Sequence, residues 1–217
     1  MSKIPPKPLY IYRMVHFDNI KFVLSNGICS KNYMQPSTEY VNIGNDTLIK
    51  KRDTYPVDIK PGGVLGDYVP FYFCGHSPML LNIKTGRGVP MQPQEDIIFL
   101  CLELYNVIEQ CNEWIFTDGH PIDSFTEYFN ETKDLDQINW DVIPLRYWSV
   151  TPETPDRMRQ KQAEFMVKNF VPCNCINKIY TYTDKRKKEI ENILASLGLD
   201  IPVEIDKSKL YLSLIHI

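Results

Sequence analysis

The chain has 217 residues, 43% apolar and 24% charged, with a formal net charge of −3. That length fits a single domain, 1–217, able to bury a continuous core, and the balance excludes a disordered or fibrous protein. A net acidic chain has no global positive field to announce nucleic acid, no apolar run approaches the ~20 residues needed to span a bilayer, and the proline-rich start is no signal peptide.

Residues 1–9 carry three prolines and should be extended. Residues 10–16 read as a strand. Asp18 can cap a helix with Ile20, Val23 and Leu24 on one face and Gly27 at its exit. Residues 31–66 are rich in Asn, Pro and Gly, with one short basic helix expected at 46–52; a loop of this length inside a compact domain is more often functional than idle. Residues 67–74 are strongly β-prone, although Pro70 should confine them to an edge or bulge.

Ser77 and Pro78 suit the N-cap and first residue of a helix, and 85–94 is another loop. Strands are expected at 97–103 and 114–117, and a helix at 122–130. Thr154-Pro155 opens a short helix through Lys161, running into a strand at 163–167, with a further strand at 176–183. Ile190, Ile193, Leu194 and Leu197 line a last helix stopped by Gly198, and 201–205 closes the sheet; residues 212–217 show no role. Six or seven strands with short helices, and no crossover helices for a regular βαβ sheet, favour α+β.

The six cysteines (Cys29, Cys74, Cys101, Cys111, Cys173, Cys175) lack structural-zinc spacing, so we expect reduced thiols, no metal and a cytoplasmic setting. Phosphate-binding glycine motifs are missing, and Gly62-Gly63 and Gly86-Arg87-Gly88 are isolated. Glu164, inside Ala163-Glu164-Phe165-Met166-Val167, stands where an apolar residue is expected. A charge there is costly unless a partner or ligand compensates it; the plain alternative is a solvent-facing strand position.

Three blocks carry a resemblance: Tyr12-Arg13-Met14-Val15-His16-Phe17-Asp18-Asn19-Ile20, Asp67-Tyr68-Val69-Pro70-Phe71-Tyr72-Phe73 with Ser77-Pro78-Met79, and Arg159-Gln160-Lys161-Gln162-Ala163-Glu164-Phe165. In this order they resemble the DarT family, bacterial DNA ADP-ribosyltransferase toxins paired with a macrodomain antitoxin, DarG. The resemblance implies a compact ADP-ribosyltransferase fold, a split and mostly antiparallel sheet with NAD as co-substrate in the cleft. It implies that Glu164 matches the catalytic glutamate and that an arginine of the basic segment is essential. Arg52 is the only arginine within residues 48–53, but the family commonly has two adjacent arginines where this chain has Lys51-Arg52, so either register stays open.

The residue types suit that chemistry. Breaking the glycosidic bond of NAD builds positive charge on the ribose, which a carboxylate can stabilise. A base nitrogen such as N3 of thymine must lose its proton as it attacks, so a general base helps; Glu164 is the candidate. Arg52 would hold the diphosphate or polarise a base carbonyl. The family implies nicotinamide contacts from Arg13, Met14, Val15 and His16, the last equally suited to capping the following helix. Phe22 and Tyr72 would pack on the nicotinamide or its ribose, or simply fill core.

For single-stranded DNA, Tyr33, Tyr40, Tyr55, Tyr147 and Trp148 are candidates to stack bases, and Lys50, Lys51, Arg157 and Arg159 to meet phosphates. Competing readings keep the fold but act on guanine, RNA or protein, or hydrolyse NAD, or bind nucleic acid without catalysis.

Overall fold

The computed structural model describes residues 4–34, 39–208 and 210–212. In chain order its regular elements are β1 (Tyr10–His16), α1 (Ile20–Asn26), β2 (Ile28–Cys29), α2 (Asp46–Arg52), β3 (Tyr68–Tyr72), α3 (Pro78–Thr85), β4 (Ile97–Glu103) and α4 (Leu104–Gln110). These are followed by β5 (Trp114–Thr117), β6 (Tyr128–Phe129), α5 (Arg157–Gln160), β7 (Glu164–Lys168), β8 (Phe170–Val171), β9 (Ile176–Thr181), α6 (Asp184–Leu197) and β10 (Val203–Ile205). Eight strands form one open sheet in the order β10-β9-β4-β1-β3-β7-β5-β6, and β2 pairs with β8 beside it. Every pairing is antiparallel except β9 with β10, which α6 joins as the single βαβ crossover among the described residues.

Strand alternation sorts the core onto the two faces. On β4, Ile98, Leu100 and Leu102 join the largest cluster, covered by α1, α4 and α6, whereas Ile97 and Phe99 join a second cluster with α3, Trp148 and residues 210–212. A third cluster gathers Val57, Leu65, Tyr68, Ile115 and Met166 beneath the loop that follows α2.

The sheet is split at its middle. β1 pairs with β4 along all seven residues, from Tyr10↔Glu103 to His16↔Ile97, but with β3 only at Tyr12↔Tyr72. Pro70 supplies a reason. Proline has no N–H to give a ladder, and the Pro70 carbonyl, which shares its side of the strand, accepts instead from Arg13 Nη1 at 3.0 Å. Pro70 therefore sits in a central strand, contrary to the expected edge: the missing donor falls where β1 and β3 have already parted. That parting opens a cleft.

Other expectations need correcting. Residues 122–130 are not a helix but a hydrogen-bonded loop ending in β6, because Phe116↔Phe129 and Thr117↔Tyr128 pair and the Tyr128 hydroxyl donates to Pro121 O at 2.6 Å. The helix expected from Thr154 to Lys161 shrinks to α5, since Thr154 N–H closes a tight turn onto Thr151 O at 3.0 Å. His16, not Asp18, caps the first turn: its Nδ1 accepts from Asp18 N–H at 3.2 Å. Leu212 has a role after all, buried, with its carbonyl accepting from Lys84 at 2.8 Å and Gln94 at 3.0 Å. Residues 213–217 and 1–3 lie outside the described residues.

Candidate active site

Glu164 is the first residue of β7, opposite Tyr72, with its backbone N–H donating to Thr117 Oγ1 at 3.2 Å. Its side chain is only 5% exposed, which excludes the solvent-facing reading. A carboxylate so placed requires a partner. Arg52, from the last turn of α2, donates through Nη1 to Glu164 Oε2 at 3.0 Å, and its Nη2 lies 3.5 Å from Met166 Sδ.

Glu164 and Met166 face the same side of β7, so α2 lies across that face with its guanidinium reaching two alternate residues. Lys51, the other residue of the two registers, is exposed and makes neither contact. The helix is fixed at its other end by Asn45, whose Oδ1 accepts from Leu48 N–H at 3.0 Å and whose Nδ2 donates to Gly88 O at 2.8 Å. Among the described residues, Glu164 Oε1 accepts no hydrogen bond.

The pair opens onto a cavity of about 530 Å3, within the ~300–1,000 Å3 common for ligand sites. Arg13, Met14, Val15, His16, Phe22, Arg52, Tyr72 and Glu164 all line it. Burial and the Glu164 carboxylate raise the Tyr72 phenol pKa, partly opposed by Arg52 and Arg13; Tyr72 thus stays a hydrogen-bond donor. Burial lowers the Arg13 pKa. Phe22 meets Tyr40 edge-on, ring centroids 6.0 Å apart, and Asn19 clasps the 40–44 wall with both side-chain ends: Nδ2 to Val41 O at 2.8 Å and Oδ1 from Val41 N–H at 2.9 Å. Neither Gly62-Gly63 nor Gly86-Arg87-Gly88 lines this cavity. Among the described residues no group of three His, Cys, Asp or Glu could hold a metal, and no helix is long and apolar enough to cross a membrane.

The residues expected to meet DNA are less united. Lys50 lines the cavity and Lys51 is exposed beside it. Tyr147 is exposed, but Trp148 is buried in the second cluster with Lys161 Nζ 5.4 Å from its ring centre, so it cannot stack a base. Arg157 reaches Ser149 O. Arg159 is not a free phosphate contact: it is 10% exposed and donates to Asp118 at 2.8 and 3.0 Å and to Asp156 at 2.7 Å.

His120 was not foreseen. It lines the cavity, and its Nδ1 accepts from Ile122 N–H at 3.3 Å. Thr117-Asp118-Gly119-His120-Pro121 has no periodicity to mark it; a histidine before proline in a turn after a strand was the one signal. Burial lowers its pKa below the usual imidazole value of 6.5, with Glu164 opposing and Arg52 and Lys51 reinforcing. A depressed folded-state pKa means the unfolded chain takes the proton first, so stability is lost as pH falls below 6.5. His120→Gln is expected to shrink the drop in Tm between pH 7.5 and pH 5.5 (by roughly 1–3 °C); an unchanged drop contradicts the assignment.

Residues 12–212 match the family described as DarT, ssDNA thymidine ADP-ribosyltransferase. A DNA ADP-ribosyl transferase of Escherichia coli O127:H6 (strain E2348/69 / EPEC) is 36% identical over 203 residues, which are 93% of this chain and 93% of that protein. The solved structure of Thermus sp. 2.9 DarT in complex with ADP-ribosylated ssDNA superposes with a TM-score of 0.88 at 32% identity, covering 98% of this chain and 100% of that one. The Thermus sp. 2.9 DarT complex with NAD+ gives a TM-score of 0.82 at 32% identity over 96% of this chain and 100% of that one. Thermosipho africanus DarTG in complex with ADP-ribose shares the fold, with a TM-score of 0.73 at 19% identity over 94% of this chain and 51% of that chain. The chain belongs to the DarT family of ssDNA thymidine ADP-ribosyltransferases.

Proposed function

We propose that the chain, acting as one domain, transfers ADP-ribose from NAD to N3 of thymine in single-stranded DNA, with Glu164 and Arg52 at the reacting centre. The observation that carries the residue assignment is a buried carboxylate held through one oxygen at 3.0 Å by an arginine from a distant segment, both residues lining a cavity of about 530 Å3. In the transfer, the ribose C1′–nicotinamide bond breaks with its electron pair leaving on neutral nicotinamide. The C1′–N3 bond forms, and the N3 proton passes to Glu164 Oε1. Arg52 keeps Oε2 occupied, so Oε1 is the acceptor, and its guanidinium face steadies a diphosphate or base carbonyl. Tyr72 supplies a protonated hydroxyl beside them, and Arg13, Met14, Val15 and His16 flank the nicotinamide end. A single strand presents its base without the cost of opening a duplex.

The same proposal places the reaction in the bacterial cytoplasm, consistent with six unpaired cysteines, and the family likeness extends it to a DarG-like macrodomain antitoxin as partner. The test is incubation with NAD and thymine-free, guanine-free or mixed oligonucleotides, read by mass. One ADP-ribose should appear only on thymine-containing strands. Gain on thymine-free strands, or free ADP-ribose with no modified strand, contradicts the reading.

A further inference from the structure

Beside the NAD cavity lies a second, open hollow, and the two share His120. Its other walls include Phe125, Pro155, Met158, Gln162 and Arg159. Phe125 is 82% exposed, more than any other large apolar side chain described. A scattered exposed apolar residue needs no explanation; this one differs because the loop holding it is braced.

Within that loop Phe125 N–H donates to Asp123 Oδ1 at 3.0 Å, Thr126 N–H to Asp123 O at 3.1 Å, and Asp123 N–H to His120 O at 2.9 Å. Thr126 Oγ1 also donates to His120 O at 2.8 Å, and Arg159 Nη1 reaches Thr126 Oγ1 at 3.0 Å while its other donors hold Asp118 and Asp156. Gly119 lies so close to Arg159 that an added Cβ would meet its Nη1 at 2.3 Å. The backbone that presents the ring is thus held in place.

We propose that Phe125 is the stacking platform for a base neighbouring the target thymine in the acceptor strand, an inference that rests on the function proposed above. His120 borders both hollows, so they lie side by side, and a strand whose thymine enters the cavity holding Glu164 places an adjacent nucleotide at the other. Among the described residues lining the hollow, Arg159 is already matched to two carboxylates and no other Lys or Arg stands there, which suits a neutral base better than a phosphate. The phosphate finds Lys51, near enough to His120 to oppose its protonation. Stacking on an aromatic face tolerates any base, so this contact contributes grip without choosing the sequence.

The test measures thymine modification by Phe125→Ala, Phe125→Leu and Phe125→Trp on a short single-thymine oligonucleotide, with abasic sites placed in turn at the two adjacent positions. Because the ring buries little, the variants should fold, which melting curves check. Ala and Leu should raise the oligonucleotide KM about tenfold with kcat moved less than twofold, while Trp keeps it within about threefold. In the wild type, one abasic position should cost the same factor, and it should cost Phe125→Ala nothing further. An unchanged KM in Phe125→Ala, or a Leu variant equal to wild type, overturns the stacking role while thymine modification stands. A wild type that leaves the oligonucleotide unmodified overturns the proposed function and this inference together.

Discussion

Glu164→Gln is expected to lower kcat for thymine modification about a thousandfold or more, with the KM for NAD changed by less than about threefold. A positioned general base contributes about a hundredfold to ten-thousandfold, and charge stabilisation of the developing cation about a hundredfold to a thousandfold; the two reside in one carboxylate and do not simply multiply. Glutamine keeps the shape and an oxygen for Arg52 Nη1, which now stands 3.0 Å from Oε2, so the pocket survives while both the charge and the proton acceptor go. A loss expressed in kcat and not in KM marks an interaction made in the transition state. Single-turnover transfer to a thymine oligonucleotide, read by mass, is the measurement; a variant within tenfold of the wild type removes Glu164 from the reacting centre. Arg52→Lys should fall between the two, because an ammonium cannot reach Glu164 and Met166 together as the fork does.

The parts legible in the sequence are those set by short-range pattern. β1, β4 and β5 stand at the expected residues, as does α2, whose Asn45 cap and basic last turn are local chemistry. α3 begins at Ser77-Pro78 for the same kind of reason, with Ser77 Oγ accepting from Leu80 N–H at 3.2 Å. Much of what failed depends on partners elsewhere in the chain. Residues 122–130 look helical in isolation, yet pairing with Phe116 and Thr117 draws Tyr128 and Phe129 into β6. α4 was not expected; its apolar Leu104 and Val107 matter only against the sheet. Trp148 reads as a loop aromatic until the second cluster closes over it. Pro70 reads as an edge signal until one sees that β1 and β3 touch at a single register pair. Within the site, Glu164 stands in one of the family's blocks and the resemblance pointed to an arginine near residue 52, but that these two side chains meet across 112 residues is visible only in the fold. Nothing local distinguishes His120 from an ordinary turn histidine.

Arg159→Ala should cost about 3 kcal/mol of stability, lowering Tm by about 6–12 °C. The guanidinium is 10% exposed and ties α5 to the loop after β5 through Asp118, Thr126 and the adjacent Asp156. Removing it leaves Asp118, itself 18% exposed, without its cation and brings two carboxylates into unopposed proximity. That outcome separates the structural role from the phosphate contact the basic run first suggested. A residue that neutralises one phosphate of a single strand contributes about 0.7 to the slope of log affinity against log salt. Because this cation is already matched, the slope for oligonucleotide binding should not change when it is removed, although KM should rise as the loop bearing His120 and Phe125 loosens. Were the slope to fall by about 0.7 with Tm unmoved, Arg159 would be a phosphate contact, and the rigidity on which Phe125 depends would need another source.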